Sequence, residues 1–388
     1  MTIPDKIVGA NAERSRSHNR KVVLDRIRAS GEVGRAEIAR TSGLSTQAVS
    51  NIIADLLDDG LINELGRRSG VRGLPAVQYG LNPKGGFALG VEIRPDAVFA
   101  AAIDLCGTPI LSRRQILFAK NLRAVSDTVL ALSHEVKRDV GVPSSKLLGT
   151  GIVMPGPFEA TGLGGSASEL PIWHDVDPQA WFEDLLGGPV VVANDANAAA
   201  VSERVSGAAK GLSTYAYLYF GTGLGLGIVQ DGRLVTGAFG NAGEIGHIPV
   251  PSASGVAPLE SMVSRLSVQN YLATAGIEVR NSNYLSQAYS AGQPALMDWL
   301  SAASGPLSTA IAIVENMLDP ETVILGGALP DAIIDHFLTS VTLPDRSVSY
   351  RSDRAVPRLM RGGSGRMTAT LGGAALIINR TFMPQIAA

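Results

Sequence analysis

The segment GEIGHIPVPSASGVAPLES, residues 243–261, carries Glu244, His247 and Glu260 among glycines, prolines, serines and small apolar residues. Those side chains can ligate a metal, move protons, or accept and donate hydrogen bonds to sugar hydroxyls. Asn194 and Asp195 follow the strand-like run PVVVA. An amide beside a carboxylate can hold adjacent hydroxyls, and either residue can instead cap a helix. A third set lies near the start: Ser45, Thr46, Gln47, Ser50 and Asn51, then Arg67, Arg68 and Arg72. Short polar side chains followed by arginines can contact bases and phosphates.

Composition narrows the zinc option first. The chain has 388 residues and one cysteine, Cys106, so neither an internal disulfide nor a thiolate zinc cage can form. At 45% hydrophobic and 18% charged residues it reads as globular, with two or three domains at this length. Residues 1–82 hold 12 Lys and Arg against 9 Asp and Glu, a net +3, while the remainder is net −5. The first residues lack a signal-peptide apolar core, and the apolar run 369–379 is too short to span a membrane. A cytoplasmic location is expected.

The basic N-terminal part has an ordered pattern. Ile38 and Ala39 suit the inner side of a short helix, Gly43 a tight turn, and Ser45 the cap of the next helix. Val49, Ile52, Ile53, Leu56 and Leu57 then recur at helical spacing and leave Thr46, Gln47, Ser50 and Asn51 on the other side. Gly60 ends that helix, and residues 61–82 read as strand, basic turn, strand. Val23, Leu24 and Ile27 suggest a preceding helix. Together these imply a winged helix-turn-helix DNA-binding domain over 1–82; the plainer reading is a small helical domain for protein contacts.

From about Gly86 the texture changes. Strand-like runs at 87–93, 97–104, 147–154, 189–194, 214–220 and 322–327 alternate with helical patterns near 123–139, 195–206 and 302–317. Two successive sets of strands with helices predict a two-lobed α/β body over 83–388.

The segments MPGPF (154–158), NDANAAAVSE (194–203), FGTGLGLGIVQDGRLVTGAFGNAGEIGH (220–247), LES (259–261) and LDPETVILGGAL (318–329) resemble the ROK family of repressors and sugar kinases. The resemblance implies an actin-like fold and, with the N-terminal module, a transcriptional repressor. It also implies that Asn194, Asp195, Glu244, His247 and Glu260 bind a sugar effector in the interlobe cleft. The implied partners are operator DNA and a second copy of the chain, as a homodimer or homotetramer.

Two departures from the family pattern matter. ATP-using members carry an acidic-x-Gly-x-Thr phosphate loop; here GVEIRPDAV (90–98) keeps Glu92 but has Arg94 and Asp96 at the Gly and Thr positions. Arg94 fills space, Pro95 offers no N–H, and Asp96 repels phosphate. The Gly-rich run 221–227 is retained. The expectation is therefore a non-enzyme with no cofactor, the alternative being an ATP-dependent sugar kinase with Asp195 as base. A regulator answering a protein partner instead of a sugar is a third possibility. The second departure is the loss of three thiolates from the zinc-binding segment that follows the histidine in many members. Only His247 remains, so no zinc is expected, and packing, Pro249, Pro251, Pro258 and hydrogen bonds must hold the loop.

Overall fold

The structure is a computed structural model that describes residues 12–68, 76–156, 173, 176–252, 255–279 and 282–382. The N-terminal unit runs α1 (Ala12–Ser30), β1 (Val33–Gly34), α2 (Arg35–Ser42), α3 (Thr46–Asp58), β2 (Ile62–Arg68) and β3 (Ala76–Leu81). Gly43 ends α2 at φ +71°, and its N–H reaches the Ala39 carbonyl. The Ser45 hydroxyl accepts from the Ala48 N–H at 3.2 Å and starts α3. Val49, Ile52, Ile53 and Leu56 of α3 are buried, with Leu57 packed at the edge. Val23, Leu24, Ile27 and Ile38 complete this core. The three strands pair antiparallel in the order β1-β3-β2.

The first lobe of the body contains β4 (Phe87–Ile93), β5 (Ala97–Asp104), β6 (Pro109–Ile116), α4 (Leu122–Asp139), β7 (Leu147–Val153), α5 (Pro178–Leu186) and β8 (Val190–Ala193). Its sheet has the order β6-β5-β4-β7-β8, antiparallel across β4, β5 and β6 and parallel from β4 to β8. Helix α6 (Asp195–Ser206) then leads into the second lobe. That lobe has β9 (Tyr215–Phe220), β10 (Leu224–Gln230), β11 (Arg233–Leu234) and the small hairpin β12 (Pro249–Ser252) and β13 (Gly255–Pro258). After these come α7 (Arg265–Thr274), α8 (Ser282–Ser290), α9 (Pro294–Leu318), β14 (Val323–Gly327), α10 (Asp331–Ser340), β15 (Leu359–Arg361) and α11 (Thr368–Phe382). Its main sheet, β11-β10-β9-β14-β15, repeats the first lobe's plan of antiparallel strands followed by parallel ones. This doubled α/β plan is the mixed architecture expected from the alternating sequence texture.

Helices α6 and α11 fill the space between the two sheets: α6 lies on β9 and β10, α11 on β4, β5 and β7, and the two helices pack on each other. Small residues permit it. A Cβ on Gly227 would stand 2.4 Å from the Ala196 carbonyl oxygen, and one on Gly151 would stand 1.9 Å from that of Gly373. Residues 302–317 belong to a longer helix than the spacing predicted, because α9 starts at Pro294 and continues through Pro306. Most of the Gly-rich run 221–227 is strand, with β10 beginning at Leu224.

The N-terminal unit is joined to β4 by Asn82 and a short 3-10 turn, Pro83–Gly85. The Asn82 side-chain amide donates to the Gly60 carbonyl at 2.7 Å. α1 also rests on α11. Lys21 Nζ donates to the Arg380 carbonyl at 3.2 Å, and the Arg28 guanidinium lies 6.0 Å from the Phe382 ring centroid. One continuous apolar cluster runs from Val23 and Ile27 to Ile378 and Phe382.

Candidate functional site

The interlobe cleft is built from the start of α6 upward. Asn194 caps this helix, its Oδ1 accepting from the Asn197 N–H at 2.8 Å. Asp195 stands in the first turn, where the helix dipole favours its charge, and accepts from the Ala196 N–H at 2.9 Å. The capping reading of this pair is thus realised, and both side chains also line a cavity of about 330 Å³. Glu244, His247 and Glu260 line the same cavity. All five cleft residues singled out in the sequence therefore converge.

Their convergence has a local cause. Ile245–His247 and Leu259–Ser261 are single 3-10 turns at the two ends of the β12–β13 hairpin. The hairpin pairs Pro249 with Pro258 and Val250 with Ala257. The Leu259 N–H donates to the Ile248 carbonyl at 2.9 Å, while Ile245, Val250 and Leu259 plug into the second lobe's core. Backbone pairing and three apolar anchors therefore bring His247 and Glu260 together. The glycine at 223 leaves room for the Glu260 carboxylate where it stands: a Cβ there would lie 2.4 Å from Glu260 Oε2 and push that side chain aside.

His247 Nε2 stands 3.8 Å from Glu244 Oε2. Burial lifts the Glu244 carboxyl above the usual carboxylate range; His247 pulls it back and Glu260 adds to the rise. This carboxylate is poised to gain from a hydroxyl donor. Sequence reasoning missed Tyr219, which lines the cleft and is 3% exposed. Burial raises its hydroxyl well above the usual tyrosine range, with Glu92 and Asp195 adding to that rise. The alternation Tyr215, Tyr217, Tyr219 along β9 could have signalled it, since these residues share one face of the strand.

Adjoining the cleft is a chamber of about 290 Å³ that contains the altered loop and also touches Asp195, Tyr219 and Thr222. Arg94 is forked onto Glu92, Nε to Oε1 at 2.6 Å and Nη2 to Oε2 at 3.0 Å. The guanidinium also sits 4.4 Å from the Phe99 ring centroid. Burial works against its charge, and Glu92 more than offsets that. The Arg94 N–H is spent on the Ala97 carbonyl at 2.9 Å, and Pro95 has none. The residues present do not fit a triphosphate cradle.

Neither do they fit the zinc centre that many family members carry after the histidine. Three thiolate positions are empty of cysteine, and among the described residues no group of three or more His, Cys, Asp or Glu could hold a metal ion.

On the N-terminal unit, Ser45, Thr46, Gln47 and Asn51 are exposed and Ser50 is half-buried along the outer side of α3. Gln47 Nε2 donates to Asn51 Oδ1 at 3.0 Å, which holds the two amides side by side. The backbone of Arg67 and Arg68 ends β2, opposite Val77 and Ala76. Their side chains, and Arg72 entirely, lie outside the described residues. No described helix is long and apolar enough to cross a membrane.

A small helical unit joined to a two-lobed α/β body with a polar interlobe cleft defines the class, and the chain belongs to the ROK family, which matches residues 89–380. It is similar to the xylose repressor of Bacillus spizizenii, 28% identical over 232 residues, 60% of this chain and 60% of that one. The similarity therefore spans less than two thirds of that repressor's length. The glucokinase of Halalkalibacterium halodurans is 31% identical over 286 residues, 68% of this chain and 81% of that one. The crystal structure of a ROK family transcriptional regulator, a homolog of the Escherichia coli MLC protein, shares the fold at TM-score 0.69 and 22% identity. That superposition covers 95% of this chain and 97% of the other, so the shared fold includes the N-terminal unit.

Proposed function

We propose that this protein is a DNA-binding transcriptional regulator, a repressor, whose body senses a sugar or sugar derivative without transferring phosphate. The observation that carries the non-catalytic part is Arg94, locked onto Glu92 with its own N–H already used. A kinase needs positioned phosphates and magnesium, and this turn spends the Arg94 N–H on the Ala97 carbonyl, has none at Pro95 and sets the Asp96 carboxylate where phosphate would sit. The xylose repressor and the MLC homolog support the regulatory part. The glucokinase relative supports sugar as the ligand class.

In this reading α3 is the recognition helix of a winged helix-turn-helix, domain 1–82, and Arg67, Arg68 and Arg72 belong to its wing. Thr46, Gln47, Ser50 and Asn51 face base edges and Ser45 a phosphate. Domain 83–388 takes the sugar on Asn194, Asp195, Glu244, His247 and Glu260, with no cofactor. A homodimer, alone or paired into a tetramer, matches a two-fold operator. The effector acts by binding one arrangement of the two lobes better than the other.

The test combines selection of binding sites from a random duplex pool with a sugar panel. The expected result is an operator whose affinity changes when one sugar is added, with no sugar-dependent ADP release from ATP. Sugar-dependent ADP release that disappears in Asp195→Ala would establish the kinase instead.

A further inference from the structure

A second chamber of about 280 Å³ opens beside the sugar cleft and shares Gly156, Asn194 and Glu244 with it. Its walls differ in character from the polar cleft. Val191, Leu234 and Leu376 supply apolar surface, Asn197 and Asn241 supply amides, and Phe239 stands at its edge. Phe239 is 76% exposed, unusual for so large an apolar side chain. It is held out on a turn between Gly237 and Gly240, both at φ +77°. Asn197 is the converse case: it is 4% exposed, and its Oδ1 is buried with no hydrogen-bond partner among the described residues.

We infer that the effector is a disaccharide, with one ring in the main cleft and the second in this chamber. The inference rests on the sugar reading of that cleft. The two cavities are of similar size and share Gly156, Asn194 and Glu244 in their walls, and the glycosidic linkage is assigned to the side of the cleft that these residues form. A sugar ring presents hydroxyls at its rim and C–H groups on its faces. Asn197 and Asn241 match the first, and Phe239 with the apolar wall matches the second. An acyl or aryl substituent would cover the wall and offer nothing to the Asn197 and Asn241 amides.

Calorimetry on the full chain tests this with monosaccharides, their disaccharides in several linkages, and the corresponding N-acetyl and aryl derivatives. One disaccharide binds about tenfold or more tighter than its parent monosaccharide, the scale of one added buried hydrogen bond plus ring contact. Phe239→Ala and Asn197→Ala each remove most of that gain and leave the monosaccharide Kd unchanged. Because Asn197 is packed within α6, Phe239→Ala at the surface decides the matter if Asn197→Ala does not fold. The inference falls if no disaccharide exceeds its monosaccharide. It falls equally if the gain survives both substitutions, or if an acetyl or aryl group alone supplies it. Failure of the cleft itself looks different: no sugar of any length binds, and Asp195→Ala changes no titration, which overturns both readings.

Discussion

Arg94 and Glu92 are held together at the point where the two lobes face one another. Glu92 is 3% exposed and otherwise bonded to the Thr370 hydroxyl. Removing the guanidinium strands a buried carboxylate, so Arg94→Ala should cost about 2–3 kcal/mol, below the full buried-pair range because Arg94 keeps some contact with water. Denaturant unfolding measures it, and Glu92→Gln combined with Arg94→Ala should recover part of the loss. Glu244 tests the opposite arrangement, a carboxylate held in the cleft at the expense of stability. Its folded pKa is raised, so it adds stability below its unfolded value, about 4.3, and that stability is lost as pH rises through the folded value. Glu244→Gln should therefore melt higher than the parent at neutral pH, the advantage closing as pH falls below the ordinary carboxylate range. The same variant should lose sugar affinity, read by calorimetry at pH 7. The family resemblance made the five cleft positions legible in the sequence, where residue types alone left capping and structural roles open. Tyr219 was legible only as one of three alternating tyrosines, because its place in the cleft depends on which face of β9 turns toward α6.

At the scale of elements, the β12–β13 hairpin does with backbone pairing what a metal would do by ligation. The sequence announced the loss of cysteines but not the hairpin, since a run of Pro, Ser and Gly reads as loop. The glycine run 221–227 was ambiguous for a similar reason. Phosphate approach and tight packing both ask for a missing side chain, and only the nearness of Glu260 and Ala196 decides between them. Gly223→Ala should displace the Glu260 carboxylate and weaken sugar binding about tenfold or more, with a smaller effect on thermal stability. The spacing predicts helix α9 only near 302–317, across Gly305-Pro306, and misses its start at Pro294. Leu296, Trp299, Leu300 and Ala303 pack into the core ahead of that proline, and this burial outweighs the lost backbone bond. The Ser45 cap was read correctly from local sequence alone. Ser45→Ala should cost about 1 kcal/mol, seen as earlier melting of the N-terminal unit.

At the scale of the whole molecule, the N-terminal unit and the body are two chemistries on one scaffold. If the wing arginines neutralise phosphates, changing Arg67, Arg68 and Arg72 to Ala together should flatten the plot of log affinity against log salt by about 2–3. Gln47→Ala or Asn51→Ala should instead relax base preference by about 1–3 kcal/mol at one position while non-specific affinity holds. Competition binding over a range of salt separates the two. The alternating α/β texture made the two-lobed plan readable in advance. The seating of α1 on α11 was not readable, because nothing in either segment names its partner.

That seating has a consequence for synthesis. Lys21 meets the carbonyl of a residue 359 positions later in the chain. At about 5–20 residues per second, some 20–70 s separate the emergence of the two from the ribosome. The core of α1, α2 and α3 is local and can form early, while the surface of α1 that α11 will cover stays open to solvent and to other nascent chains. The N-terminal unit is thus born long before the helix that will cover it.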